Sequence, residues 1–216
     1  MTDQPLISID VVPLRFNRAT RKAEVILGRR LFEPNLGQLA LPGVLLGAGE
    51  RLHEAVARAL LTKVGVTNFQ YTMAGDVGVF DNPDRDPRGP TLSITRFAVI
   101  GEHVELGELA VAVPLDEAHG LPFDHDHIIS RAVRTVFEKL WTDKDTTEAF
   151  LGVRFTTLDA ADAHDSLAAS ATPAGATMDR NNLTRALAKN SWVRELAPDE
   201  VPKTGRGRPA KVWQFL

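Results

Sequence analysis

A chain of 216 residues, 44% apolar and 25% charged, has room for one large domain or a medium and a small one, and its composition excludes a disordered polymer. It holds no cysteine, which excludes disulfides, thiol catalysis and cysteine-based zinc sites together. The net charge of −3 is unevenly spread: Met178 to Leu216 carries +4 and the remainder −7, so an acidic body ends in a basic pole suited to a polyanion partner or to a solvated charged tail.

The amino terminus, "MTDQPLISIDVVPLRF", lacks a basic stretch followed by a long apolar run, and nothing approaches the ~20 apolar residues of a membrane span, so a cytoplasmic protein with no membrane partner is expected. "LISIDVVPLRF" and "AEVILGRR" are β-branched runs around the polar "NRATRK" and predict a hairpin or meander of two strands. "LALPGVLLGAGE" then leads into "RLHEAVARALLTKVGV". There Leu52, Val56, Leu60 and Val64 recur at the spacing of one helix face, and Gly65 stands where a C-cap glycine belongs. The segment reads as strand, glycine-containing loop, helix.

This segment resembles a degenerate Nudix box, G-x5-E-x7-R-E-U-x-E-E-x-G-U with U aliphatic: Glu50, Arg58, Leu60, Gly65 and Val66 hold their places. The resemblance implies that Glu50 and Arg58 pair to brace the loop against the helix. It also implies that the later glutamates, which in that family ligate divalent metal, are here Ala59, Thr62 and Lys63, while Val44 replaces the first glycine of the box. Losing three carboxylates and gaining an ammonium predicts poor magnesium binding and no catalytic residues.

Further along, "DNPDRDPRGPTLSITRFAVI" resembles the "RDPRG" strand segment of ADP-ribose-handling Nudix proteins and of the Nudix-related regulators of NAD metabolism, the NrtR family; "LPFDHDHII" resembles that family's path into a long helix. Read locally, Arg85 and Arg88 suit either a bidentate pyrophosphate clamp or a self-neutralising surface loop. Asp124 is placed to cap a helix with the apolar stripe Ile128, Ile129, Ala132, Val133, Val136, Phe137, Leu140 and Trp141. His125 and His127 stand as capping or surface residues, or as metal ligands.

"TDKDTTEAF" is polar and without period and reads as a joint between domains. Thr156 with Asp159 forms a capping-box pattern for a short helix, "ATPAGAT" breaks it, and "MDRNNLTRALAKN" resumes helical spacing. Leu183, Ala186, Leu187 and Asn190 fall on one side of that second helix, Arg180, Asn181, Thr184 and Arg185 on the other. Two short helices around a Pro/Gly turn predict a helix-turn-helix whose second member reads the major groove, the side chains of its polar face matching base edges and phosphates. "SWVRELAPDEVPKTGRGRPAKVWQF" then predicts a strand, a polar loop and a closing strand with Trp213 and Phe215 on one face, as in a wing. Lys203, Arg206, Arg208 and Lys211 supply its charge, and a Gly-Arg-Gly-Arg-Pro tip is thin enough for a minor groove about 6 Å wide.

The stretches "NNLTRAL" and "GRGRPAKVWQF" also resemble the NrtR winged helix. The resemblance thus implies an α+β fold: residues 1–145 as a Nudix-like α/β/α sandwich with a mixed sheet, sensing an effector through Arg85, Arg88 and Arg58, and residues 146–216 as a winged helix-turn-helix. It implies a homodimeric regulator, a repressor of NAD biosynthesis or salvage genes, that binds a double-stranded DNA operator and responds to ADP-ribose or a related nucleotide, with no bound cofactor or metal. The alternative is an active Nudix ADP-ribose pyrophosphatase with a basic C-terminal extension.

Overall fold

The structure, a computed structural model, describes residues 4–68, 70–171, 178–197, 199–201 and 211–216. Its larger sheet is built from β1 (Leu6–Asn17), β2 (Lys22–Arg29), β3 (Leu39–Ala40), β4 (Gly43–Leu45), β5 (Tyr71–Phe80), β6 (Thr91–Ile100) and β7 (Ala110–Pro114). The main path runs β3-β2-β1-β6-β5, with β4 on β1 and β7 on β2. β1 and β2 form the expected hairpin, Leu14 opposite Val25, while β1 and β6 run parallel, so the sheet is mixed.

Alternation along the strands assigns each residue to a face. Ile9 and Val11 of β1, Ile26 of β2, and Ala98 and Ile100 of β6 pack against α1 (Leu52–Val64) through Ala55, Val56, Leu60 and Val64. Their neighbours Val12, Leu14, Val25, Leu27, Phe97 and Val99 face the other way and pack with α2 (His125–Lys139) through Ile128, Ile129, Ala132, Val133 and Val136. The result is an α/β/α sandwich. α1 stops at Gly65, whose φ of 74° lies in the left-handed region and whose N–H reaches back to the carbonyls of Leu60 and Leu61.

The polar stretch read as a joint is in fact α3 (Lys144–Leu151), a finding that corrects the sequence reading. Asp143 caps it by accepting from the Thr146 N–H at 2.8 Å, and its two apolar residues near the end, Phe150 and Leu151, are both buried, so two contacts and a cap outweigh the missing period. There follow β8 (Arg154–Thr156), α4 (Thr157–Ala171), α5 (Arg180–Lys189), β9 (Val193–Glu195) and β10 (Val212–Phe215), with the small sheet ordered β8-β10-β9. This succession is a winged helix-turn-helix. The Thr156–Asp159 box forms in both directions, at 2.8 and 3.0 Å, while the breaker at 172–177 lies outside the described residues.

The two halves share one buried cluster that runs from Val12 and Phe16 through Phe150 to Phe155, Leu167, Leu187 and Trp213. Polar contacts at the β1–β2 turn reinforce it. Arg18 donates to the carbonyls of Leu151 and Arg154, Arg21 pairs with Asp162 of α4, and the Ala23 N–H donates to Ser166 Oγ at 2.8 Å. Among the described residues no helix is long and apolar enough to cross a membrane.

Candidate functional site

At one end of the large sheet the apolar alternation gives way to polar residues. The β1–β6 register sets Ser8 beside Ser93 and Asp10 beside Thr95, all on the α2 face and all buried. A carboxylate at that depth requires partners. Asp10 Oδ2 accepts from Ser93 Oγ at 2.6 Å and from Arg85 Nη2 at 3.1 Å, and Arg85 also reaches Asp124 with Nη2 at 2.8 Å and Nε at 3.0 Å. Arg85 is only 6% exposed. Burial by itself lowers the pKa of its guanidinium, but Asp124 and Asp10 together carry it above its ordinary value.

Asp124 thus holds the N-cap position of α2 without capping it, because its carboxylate is turned to Arg85. Asp126 is the carboxylate that serves the chain here, accepting from the Gly120 and Leu121 N–H groups at 2.7 and 2.9 Å. His125 is buried and accepts at Nδ1 from the Leu41 N–H at 3.1 Å. Burial depresses its pKa, with Asp10 opposing, and the neutral ring matches that acceptor role. His127 is exposed and lies edge-on to Phe80, 5.6 Å between ring centroids.

Above this floor opens a cavity of about 430 Å³. Arg58, Thr62 and Lys63 of α1 form one wall, Arg29 and Arg30 at the end of β2 another, and Leu31, Phe32, Leu45 and Phe123 add apolar surface. The Glu50–Arg58 brace is present as a two-pronged pair, Nη2 to Oε2 at 2.7 Å and Nε to Oε1 at 2.7 Å, and Arg58 also donates to the Leu45 carbonyl. The Arg58 bonds, with help from the Gly47 N–H, hold the Glu50 carboxyl down at about 2. Arg88 is bound to Asp86 by side-chain bonds of 2.9, 3.3 and 2.6 Å. Of the two arginines read from the sequence as either a pyrophosphate clamp or a self-neutralising loop, Arg85 is paired with Asp10 and Asp124 in the floor and Arg88 with Asp86 at the rim.

A divalent cation needs several hard oxygen ligands converging on a point. Ala59 is buried on the inner face of α1, Thr62 Oγ1 donates to the Arg58 carbonyl at 2.7 Å, and Lys63 stands exposed. Glu50 is committed to Arg58, and Glu54 to the Arg51 N–H at 2.8 Å. Among the described residues no three His, Cys, Asp or Glu side chains gather as a metal set. The donors at this wall do not fit a metal.

The second group of predicted residues lies in the C-terminal unit. α5 is capped by Asp179, which accepts from the Asn182 N–H at 2.8 Å, and it buries Leu183 and Leu187. Ala186, read as part of that inner side, is exposed. Arg180, Asn181 and Arg185 are exposed, and Thr184 is half-buried with its hydroxyl donating to the Arg180 carbonyl. Trp213 and Phe215 both point inward from β10, as the alternation predicted, Trp213 Nε1 donating to Thr157 Oγ1 at 2.9 Å. Lys211 bridges to Glu195 of β9 at 2.8 Å, while Lys203, Arg206 and Arg208 lie outside the described residues.

Sequence reasoning missed Asp10, Arg29 and Arg30 as parts of the site. For Asp10 the signal was there: Ser8, Asp10, Ser93 and Thr95 are polar residues at strand positions of core parity. For Arg29 and Arg30 it was not, since two arginines at a strand end are an ordinary surface feature.

No protein-family model matches the chain. Over 134 residues, 60% of this chain and 74% of the relative, it is 31% identical to an ADP-ribose pyrophosphatase of Methanocaldococcus jannaschii. The crystal structure of Shewanella oneidensis NrtR complexed with a 27mer DNA has a similar fold, with a TM-score of 0.75 at 21% identity, covering 97% of this chain and 93% of that one. The NUDIX domain of the same protein complexed with ADP ribose matches with a TM-score of 0.56 at 23% identity, covering 62% of this chain and 90% of that one.

Proposed function

We propose that this chain, which belongs to the Nudix family, is a DNA-binding transcription regulator whose N-terminal domain senses ADP-ribose or a related nucleotide without hydrolysing it. The observation that carries the reading is the pairing, in one chain, of a cationic cavity where no metal donor set gathers among the described residues with a winged helix that exposes Arg180, Asn181 and Arg185. The sensor is residues 1–145 and the DNA-binding domain 146–216, a division that falls within α3. The cations of the cavity suit a pyrophosphate, and the surface of Leu31, Phe32 and Phe123 suits a nucleoside. Arg88 and Arg58 stay near the phosphates, whereas Arg85 holds the floor in place.

On the DNA side, Arg180, Asn181, Thr184 and Arg185 enter the major groove, and Lys203, Arg206 and Arg208 enter the minor groove. Lys211 contributes charge near the wing. One winged helix covers little DNA, so the active form is a homodimer that reads two half-sites. The resemblance to NrtR regulators supports NAD biosynthesis or salvage genes as targets, with repression as the mode.

Sequencing the genomic DNA fragments that the purified protein retains, with and without ADP-ribose, tests this reading. Enrichment of a paired motif whose retention changes with ADP-ribose is expected; retention without sequence preference would remove it. The pyrophosphatase relative favours a second reading, a working hydrolase with a basic extension. Incubation with ADP-ribose and magnesium separates the two, because sustained release of AMP would establish the hydrolase.

A further inference from the structure

The cavity carries more positive charge than its carboxylates neutralise. Arg29, Arg30, Arg58, Lys63, Arg85 and Arg88 line it, against Asp10, Glu33 and Asp86 of the lining together with Asp124 and Glu50 beside it. Three of the cations have carboxylate partners: Arg85 with Asp10 and Asp124, Arg88 with Asp86, Arg58 with Glu50. The other three have none within ion-pair distance among the described residues. Arg29 donates to the Gly37 carbonyl and Arg30 to that of Pro34, both main-chain oxygens without net charge.

Backbone packing sets the segments that carry two of these three side by side. A Cβ on Gly28 would stand 2.9 Å from the carbonyl oxygen of Lys63 and 3.6 Å from its Cβ, so the end of β2 lies directly on the last turn of α1. Arg29 follows Gly28 in the chain, so it and Lys63 belong to segments in contact, and they share the cavity as lining residues. Both side chains are exposed and both line the cavity.

We infer that Lys63, Arg29 and Arg30 form a metal-independent site for a pyrophosphate dianion, in which an ammonium and two guanidiniums supply the positive charge directly. The inference rests on the reading of the cavity as a nucleotide sensor and assigns the residues that hold the phosphates. A pyrophosphate diester carries two negative charges, and the unpaired cations match it without any carboxylate being displaced. The guanidiniums offer forked donors to phosphoryl oxygens, and the ammonium is a compact point charge. The same three cations repel a free divalent ion. A magnesium already bound to the pyrophosphate masks the charge they recognise, so magnesium does not help binding here.

Calorimetric titration of the full chain with ADP-ribose and with inorganic pyrophosphate, in EDTA and in millimolar magnesium, tests this. In EDTA the wild type binds both ligands, and magnesium leaves the affinity unchanged or lower. Lys63→Met weakens binding in EDTA at least about tenfold, the loss expected for one charge-assisted contact, while Lys63→Arg keeps most of the affinity. Arg29→Met repeats the loss at the second cation, and thermal melting of each variant verifies that it is folded.

Several results overturn the inference. If ADP-ribose binds only with magnesium, the inference falls and the sensor reading survives. It falls likewise if Lys63→Met and Arg29→Met bind as the wild type does in EDTA. If inorganic pyrophosphate binds in EDTA with the Lys63 dependence and ADP-ribose does not, the dianion site stands and ADP-ribose as effector falls. Failure of both ligands in both buffers removes the two together.

Discussion

Arg85 in the N-terminal cavity is 6% exposed and held between Asp10 and Asp124, whereas Arg180 and Arg185 on α5 stand in solvent with no carboxylate partner among the described residues. The difference follows from what each end has to recognise. An enclosed site for a small anion needs its geometry fixed beforehand, and a guanidinium can be fixed in a buried place only if carboxylates compensate its charge. A face that meets a polymer of phosphates needs no such locking. Its binding free energy comes largely from counterions released when free cations arrive, so a carboxylate partner would work against it.

The largest effect expected from this contrast is on stability. Arg85→Ala leaves Asp10 buried without its cation and is expected to cost about 3–5 kcal/mol, read by denaturant unfolding. Arg185→Ala should stay within about 0.5 kcal/mol of the wild type while weakening DNA binding. A small loss at Arg85 would break the comparison, since the floor would then hold without its central cation.

Acid titration sharpens the comparison. At both ends a glutamate is held down to about 2: Glu50 by Arg58, aided by the Gly47 N–H, and Glu200 by Arg194, aided by the Ala197 N–H. Each contributes stability that is present above its unfolded pKa and lost as pH falls from about 4.3 toward that lower value. His125 belongs to the cavity alone. Burial lowers its folded pKa, so its contribution is present above about 6.5, the unfolded value, and declines as pH falls below it. The groups facing it are Asp10, Arg85, Asp124 and Arg30. Melting temperatures across pH should therefore decline in two stages, and His125→Gln should remove the first stage while leaving the second.

How much of this was legible in the sequence depended on whether the signal was local. The β1–β2 hairpin, α1 with its Gly65 cap, the Glu50–Arg58 brace and the inward Trp213 and Phe215 were each written within about a dozen residues, and each is present. α3 was not read, because its stability comes from Phe150 and Leu151 meeting a core assembled by distant strands. The floor of the cavity was hidden for the same reason: Asp10 and Arg85 are 75 residues apart and Arg85 and Asp124 are 39 apart, and only the β1–β6 register and the loop before β6 bring them together. Arg85 was picked out from its motif, but its role as a buried tie depended on partners that no local pattern names.

The smallest expected effect concerns whether the two ends answer independently. Asp179 accepts from the Asn182 N–H and satisfies one of the unpaired donors in the first turn of α5, so Asp179→Ala should cost roughly 1 kcal/mol. Two consequences for DNA then oppose each other: the first turn, which carries Arg180 and Asn181, frays, while a negative charge beside the phosphates is lost. Asp179→Ser separates them, since a serine hydroxyl caps about as well as a carboxylate and carries no charge. It should hold stability within a few tenths of a kcal/mol and tighten DNA binding at low salt, more than at high salt because exposed charges are screened. Pyrophosphate titration of the cavity should be unchanged in both variants. A change there would mean that α5 and the cavity are coupled through the shared cluster from Leu187 to Val12, and that the charged residues at the two ends do not act as separate sites.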